Sequence, residues 1–392
     1  MKRILIIGAG FAGLSAAAVV CRRRENEVVL IDRRATQQSL PLLPDIIGRA
    51  LPPQALCLDI ARWSLRIGCR FLLGQIEEIA LEKREAVTAD SKRLSFDTLL
   101  IAGGAVPTFY GRDDLAKSAF TFNSVEAVCS LAQALDKPHI KTAVVSGGGY
   151  TGIELATNIK RRWSRQGRKG EVIIVERAAA LLGTLPEGLR EYAVENVRRM
   201  GIIVKTGVEV KTLQGETITL SDATMVAPGV LAWTAGMETP GFVRRLKLPQ
   251  DRQGRLVVDQ YLRCSETCFA AGDSAHVNPE QTTESSSRKV ERVDTPAGGV
   301  IRMGVQFAVA QGVLAGYNIL ASLSRKPLRA YNPRDLGYIV PMANNHSCGV
   351  VLGATLYGRF PTLFHYLMCI YRSSSIRNML AVTRGVLARR SP

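Results

Sequence analysis

The chain writes one supersecondary unit twice, and that repetition limits what it can fold into more than any other feature. Ile4 to Ile7 is an apolar run, Gly8-Ala9-Gly10-Phe11-Ala12-Gly13 follows it, an Ala-rich helical stretch runs to about Arg24, and Val28-Val29-Leu30-Ile31-Asp32 closes the unit. About 140 positions later the pattern returns. Ala143-Val144-Val145-Ser146 precedes Gly147-Gly148-Gly149-Tyr150-Thr151-Gly152, then come a helical stretch from Ile153 to Arg162 and Val172-Ile173-Ile174-Val175-Glu176. Each copy is strand, G-x-G-x-x-G, helix, strand, acid. The first glycine permits a tight turn, the second lets the backbone approach a pyrophosphate, and the third lets the helix pack close to the strand. The pyrophosphate rests on the helix N-terminus, where unpaired amides and the dipole favour negative charge. The acid, Asp32 or Glu176, is placed to accept hydrogen bonds from an adenosine ribose. The pattern predicts an α/β chain with two Rossmann-like domains, each holding one dinucleotide.

A length of 392 residues leaves room for two to three domains. The formal charge of +17 makes nucleotide phosphates, nucleic acid and an anionic membrane surface all physically reasonable partners. Nucleic acid is disfavoured because no zinc finger, RNA-binding aromatic signature or separate basic arm is present. The eight cysteines include no Cys-x-x-Cys, and only Cys264 and Cys268 lie close, so reduced thiols are expected. His139, His276, His346 and His365 are scattered, no metal-ligand cluster is visible, and no metal is expected. The N-terminal apolar run stops after Ile7 at the glycines, which reads as a strand of a cytoplasmic protein rather than a secretory signal. No stretch reaches the roughly eighteen uninterrupted apolar residues of a spanning helix.

Further segments resemble known flavoproteins. Phe96-Asp97-Thr98-Leu99-Leu100-Ile101-Ala102-Gly103-Gly104 resembles the strand and turn that close the first FAD lobe of two-dinucleotide flavoproteins, with Gly103 where a Thr is usual. Thr267-Cys268-Phe269-Ala270-Ala271-Gly272-Asp273-Ser274-Ala275 resembles their second FAD signature, whose acid binds the ribityl and phosphate portion. Gln37 to Gly48 contains no cysteine, which argues against disulfide reductase chemistry. Its Pro41-Leu42-Leu43 is similar to a stretch of the type II NADH dehydrogenases, single-subunit quinone reductases of the membrane surface. Gly149 to Ala156, Val230 to Gly236 and a basic, apolar C-terminal tail carry that resemblance along almost the whole chain.

The resemblance implies an FAD-binding domain of residues 1–111 and 237–325, split by an inserted NAD(H)-binding domain at 112–236, with a membrane-surface or dimerisation region at 326–392. FAD would meet Gly8, Gly10, Phe11, Ala12, Gly13, Asp32, Arg33, Ile76, Ala102, Gly104, Gly272, Asp273 and Val305. NADH would meet Gly147, Gly149, Tyr150, Thr151, Gly152, Glu176, Ala235 and Gly236. The family's glutamate at the flavin and nicotinamide site corresponds to Glu154, although an acid in the first helical turn also suits the dipole. A buried helix from Ile301 to Leu320, preceded by Gly298 and Gly299, would aim its N-terminus at the isoalloxazine. On it Gln306 and Gln311 match quinone-site glutamines, whereas Ala310 and Val305 replace a glutamine and an alanine. Buried glutamines bonded to backbone are the alternative.

Glu176 would repel a 2′-phosphate and favours NADH over NADPH, with Arg177 acting in the opposite sense. The basic run from Lys160 to Lys169 reads as a solvated surface, and the polar segment Asn278 to Thr295 as a mobile loop. The tail from Pro361 carries five arginines and no acid. After the apolar run Pro361 to Tyr371, the positions Ile376, Met379, Leu380, Thr383, Val386 and Leu387 recur at helical spacing, with Arg377 and Arg384 on another face. That pattern predicts an amphipathic helix on an anionic bilayer, packed on the core or in a homodimer as the alternative. The function expected is a peripheral, non-proton-pumping NADH:quinone oxidoreductase at the cytoplasmic face of a membrane. A sulfide:quinone oxidoreductase using Cys129 and Cys348, and a soluble NAD(P)H-dependent reductase of an electron-carrier protein, are the competing readings.

Overall fold

Ile4, Leu5, Ile6 and Ile7 are all at most 4% exposed because the strand they build, Lys2–Ile7, has parallel neighbours on both sides. Such strands bury both faces, which is why they read as continuous apolar runs. The structure is a computed structural model describing residues 1–277, 302–373 and 376–387. The Asn278 to Thr295 segment, Gly298, Gly299, Arg389 and Arg390 lie outside the described residues. Two compact units divide the chain: Met1–Gln37, Leu58–Val106 and Met237–Asp335 form the first, and Gln38–Cys57, Pro107–Gly236 and Leu336–Pro392 the second.

The first unit is built on a six-stranded sheet. Its order is Arg70–Leu73, Asn26–Asp32, Lys2–Ile7, Thr98–Ile101, Cys268–Ala270 and Arg263–Ser265, parallel except for the last strand. Cys268, Phe269 and Ala270 pair with Leu99, Leu100 and Ile101, so a strand from beyond the second glycine loop completes the sheet begun at the N-terminus. The helix Phe11–Val20 ends earlier than the alanine run suggests, because Arg22 and Arg23 turn back onto the carbonyls of Val19 and Val20. It packs on the helix Val305–Leu323, which starts later and ends later than the expected Ile301 to Leu320.

Two glycines let those helices approach. A Cβ at Gly312 would sit 2.1 Å from the Ala12 carbonyl oxygen, and one at Gly316 2.9 Å from Val19 Cβ. A Gly312→Leu variant is expected to lose about 3 kcal/mol of stability through overpacking. The urea midpoint should fall accordingly, whereas Ala310→Leu, on the exposed side of the same helix, should leave it in place.

The second unit has its own five-stranded parallel sheet, ordered Phe120–Thr121, Gly229–Trp233, Thr142–Ser146, Glu171–Glu176 and Ile202–Thr206. Its glycine loop opens the helix Tyr150–Arg165, longer at both ends than the Ile153 to Arg162 stretch read from sequence. Trp163 is fully buried and donates its indole N–H to the Leu135 carbonyl at 3.1 Å. The basic run is more than a solvated face. Arg162 forks onto Asp136 at 2.9 and 2.5 Å and reaches the Ile47 carbonyl, while Arg165 donates to the Gly48 carbonyl at 3.1 Å. These bonds, with a close approach of Gly48 to Asn158, tie the segment 38–57 to this helix. The segment Gln38–Cys57 thus belongs to the second unit, whereas the family resemblance places it within the first part of the FAD-binding domain, residues 1–111.

An antiparallel sheet of Gly337–Val340, Ser347–Val351 and Ala354–Gly358 leads into the helices Arg359–Tyr371 and Ile376–Leu387. Phe360, Leu363, Leu367 and Tyr371 form an exposed stripe on the first of these. On the second, Val382 is fully buried, while Ile376, Arg377, Leu380 and Arg384 are exposed together. Arginines and aliphatics therefore share the outward face instead of separating as the spacing suggested. Val382 packs inward, Met379, Thr383 and Val386 are half-buried, and Ile376 and Leu380 are left outward beside the arginines. Among the described residues no helix is long and apolar enough to cross a membrane.

Candidate functional site

The two glycine loops are the same structure made twice. Gly8 has φ +101° and Gly147 φ +114°, a backbone region that suits glycine. The Gly8 amide donates to the Ile31 carbonyl at 2.8 Å, and the Gly147 amide donates to Val175 at 2.8 Å. A Cβ at Gly13 would lie 1.8 Å from the Gly8 oxygen, and a Cβ at Gly152 would lie 1.8 Å from the Gly147 oxygen. A Cβ at Gly10 or Gly149 meets nothing within 4 Å, so at each helix start the backbone faces open space. Unpaired amides beside open space fit a pyrophosphate.

The acids match as closely. Asp32 accepts from the amides of Ala9 at 2.7 Å and Arg34 at 2.8 Å. Glu176 accepts from the amides of Gly148 at 2.6 Å and Ala178 at 2.8 Å. Each carboxylate braces the loop it faces and retains lone pairs for ribose hydroxyls.

In the first unit other signature residues converge on this loop. A Cβ at Gly8 would lie 2.2 Å from the Ala102 carbonyl oxygen, and one at Gly272, φ +69°, would lie 3.1 Å from Ala12 Cβ. Ser274 donates to the Gly104 carbonyl at 3.1 Å. Asp273 follows Gly272 in a short 3-10 turn, where burial raises its carboxyl and the charge of Arg255 pulls it down. Phe11 and Val305 are the first residues of their helices, Arg33 is exposed beyond Asp32, and Ile76 is buried in the core of this unit. Gln311, 3% exposed, accepts from the Gly272 amide at 2.7 Å and so holds the second signature against the helix. Gln306 lies a turn earlier and donates to Asp335 at 3.1 Å.

In the second unit, Thr234 and Ala235 press on the loop: a Cβ at Gly147 would lie 2.8 Å from Thr234 Oγ1 and 3.0 Å from Ala235 Cα. Thr234 donates to the Ser146 carbonyl at 2.8 Å. Tyr110, exposed, donates to the Ala235 carbonyl at 2.8 Å and closes on Gly236, with the Arg177 guanidinium 5.9 Å from its ring. Sequence reasoning missed Thr234 and Tyr110, whose only signals are adjacency to Ala235 and an aromatic in a turn. Tyr150 opens the helix and meets Tyr338 edge-on, and Thr151 is exposed beside it.

Glu154 is the fifth residue of that helix, so the first-turn dipole explanation does not apply to it. Burial lifts its carboxyl well above the ordinary carboxylate range, and the Asp45 carboxylate lifts it further. Asp45 belongs to a buried triad of this unit. Its Oδ1 is 2.9 Å from Arg49 Nε and accepts from the Tyr366 hydroxyl at 2.7 Å, while Arg49 Nε is 2.6 Å from Tyr366 Oη. Burial raises Asp45, against the pull of Arg49 and Tyr366, and it pushes the neighbouring His365 imidazole down to about 4. Neither thiol invoked for sulfide chemistry is poised as a thiolate: burial pushes Cys348 up to about 12 and also raises Cys129.

A family model described as pyridine nucleotide-disulphide oxidoreductase matches residues 2–288. The chain belongs to that family. Among curated relatives of this oxidoreductase, the demethylphylloquinone reductase NdbB of Synechocystis is 26% identical over 407 residues, covering 99% of this chain and 96% of the relative. The type II NADH:quinone oxidoreductase Ndh of Mycobacterium tuberculosis is 25% identical over 375 residues, covering 85% of this chain and 74% of its own. The solved structure of NDH2 from Plasmodium falciparum in complex with NADH has the same fold, with a TM-score of 0.83 at 17% identity over 98% of this chain and 97% of that one.

Proposed function

We propose that this oxidoreductase is an FAD-dependent, non-proton-pumping NADH:quinone oxidoreductase of electron transport, working at the cytoplasmic face of a membrane. The observation that carries the reading is the pair of equivalent cradles, joined to a Gln37–Gly48 segment without cysteine. When bound, FAD supplies the two-electron relay between nicotinamide and quinone. In the first unit, the amides at Gly10–Gly13 face the FAD pyrophosphate, Asp32 the ribose, and Asp273 the ribityl and phosphate portion. The start of the helix Val305–Leu323 presents unpaired amides and the positive end of its dipole, which favour negative charge there.

In the second unit, the amides at Gly149–Gly152 face the NADH pyrophosphate and Glu176 the ribose. Because Glu176 is fixed by two amides, its charge stays where a 2′-phosphate would have to sit, which favours NADH. Glu154 holds a proton to higher pH than a surface glutamate and can hand it to the reduced acceptor. Gln306 and Gln311 lie on the helix assigned to the quinone side. The exposed stripes of the two C-terminal helices, with Arg377 and Arg384, meet an anionic membrane surface, which a homodimer would widen.

Anaerobic titration with NADH should bleach the flavin stoichiometrically, and a lipophilic quinone in detergent should restore it. The Glu154→Gln variant should slow the second half about 100-fold and leave the first half intact. A flavin that stays oxidised in NADH but bleaches with sulfide overturns the reading.

A further inference from the structure

A cavity of about 410 Å³ lies in the second unit, apart from its glycine loop, and is lined by Arg49, Arg165 and Arg384 with Pro52, Ala381 and Gly385. Its construction is specific. The helix Ile376–Leu387 is pinned by Asn378, which donates to the Cys57 carbonyl at 3.0 Å, and by Gly385, where a Cβ would sit 2.0 Å from Leu51 Cδ2. The opposite wall comes from Arg165, held by its bond to the Gly48 carbonyl.

The charge in this cavity is not balanced. Arg49 faces Asp45, but no ion pair is formed by Arg165 or Arg384 among the described residues. Arg161 behind them has its guanidinium depressed by burial and by the charges of Arg49 and Arg165. Its buried Nε has no hydrogen-bond partner. Arg49 is committed to its triad, and the guanidinium forks of Arg165 and Arg384 match the oxygens of a phosphate. The remaining wall is apolar, and it continues on the same helix into exposed Leu380 and Ile376, where an acyl chain can lie.

We propose that this cavity binds the phosphate of an anionic phospholipid headgroup. The inference rests on the membrane-surface part of the proposed function and deepens it, turning a general basic surface into a defined site.

The test uses the full-length, flavin-loaded protein and co-sedimentation with phosphatidylcholine vesicles, with and without phosphatidylglycerol. Wild type should bind the anionic vesicles. Arg165→Lys keeps the charge but loses the fork, and should weaken binding about tenfold through lost charge-assisted bonds. Ala381→Phe, which fills the cavity without changing charge, should weaken it as much. Arg377→Gln removes a charge outside the cavity and should cost about fivefold at low salt. That loss should vanish at high salt while the Arg165→Lys loss persists.

If Arg165→Lys and Ala381→Phe both bind like wild type, the site is overturned and general surface attraction stands. If wild type fails to bind anionic vesicles, the site and the membrane reading fall together. If inorganic phosphate raises the melting temperature of wild type but not of Arg165→Lys while their vesicle affinities coincide, the occupant is a soluble phosphate and the lipid assignment is overturned.

Discussion

The Gly152→Ala variant is expected to keep its flavin and lose its response to NADH. The added Cβ would lie 1.8 Å from the Gly147 carbonyl oxygen, well inside van der Waals contact, and that oxygen belongs to a loop already bonded to Val175. The loop must therefore move, and with it the amides that face the pyrophosphate. Losing two charge-assisted bonds of about 1.5 to 3 kcal/mol each corresponds to at least a hundredfold weaker binding. Anaerobic titration reads this directly, as a rise in the NADH concentration needed for half bleaching. The partner experiment is Gly13→Ala, where the same 1.8 Å clash falls on the Gly8 oxygen. That protein should purify without flavin. If Gly152→Ala instead loses flavin and Gly13→Ala keeps it, the assignment of cofactor to cradle is reversed.

The second large effect is expected at Asp45. Its side chain is 2% exposed and that of Arg49 4%, so Asp45→Asn leaves a buried guanidinium without its counter-charge. Breaking such a pair costs about 3 to 5 kcal/mol. Replacing both partners by leucine should cost far less, because a buried pair gains little net energy over apolar side chains. Urea denaturation of Asp45→Leu, Arg49→Leu and the double leucine variant measures the cycle. The pH dependence has a definite sign. Asp45 and Glu154 have raised carboxyls, so the folded state holds their protons more tightly than the unfolded chain does. Their contribution to stability is full below the ordinary carboxylate range and is lost as pH rises through the raised values. Asp45→Asn should flatten part of that limb.

The glycine loops were legible in the sequence because their chemistry is local: turn, close approach and helix start all fall within a few residues. Gly8, Gly13, Gly147 and Gly152 do what their spacing requires. The triad was not legible. Asp45, Arg49 and Tyr366 look like an acid on the short apolar helix Leu43–Gly48, a base just after it and an aromatic in a distant helix, and only the tertiary fold joins them. The segment 38–57 failed to announce its place for the same reason, since Asp45 and Arg49 meet Tyr366 only in the fold, and Arg162 and Arg165 reach backbone carbonyls of Ile47 and Gly48 that leave no mark in the sequence. Gln311 carries two readings in the sequence, a quinone-site residue or a buried glutamine bonded to backbone, and its carbonyl oxygen accepts from the Gly272 amide. A side chain's type shows what it can bond, and its neighbours decide which bond it makes.

The strand Cys268–Ala270 completes the first sheet by pairing with Thr98–Ile101. During synthesis the N-terminal strands emerge long before that partner does. At about 5 to 20 residues per second the interval between residues 101 and 270 is roughly ten to thirty seconds. Throughout it, Leu99, Leu100 and Ile101 present an unpaired, wholly apolar edge, the kind that recruits other chains. The second sheet has all its strands between residues 120 and 233 and can close first. The nascent protein therefore gains its second dinucleotide fold while its first is unfinished, and it is during that wait that a chaperone has most to protect.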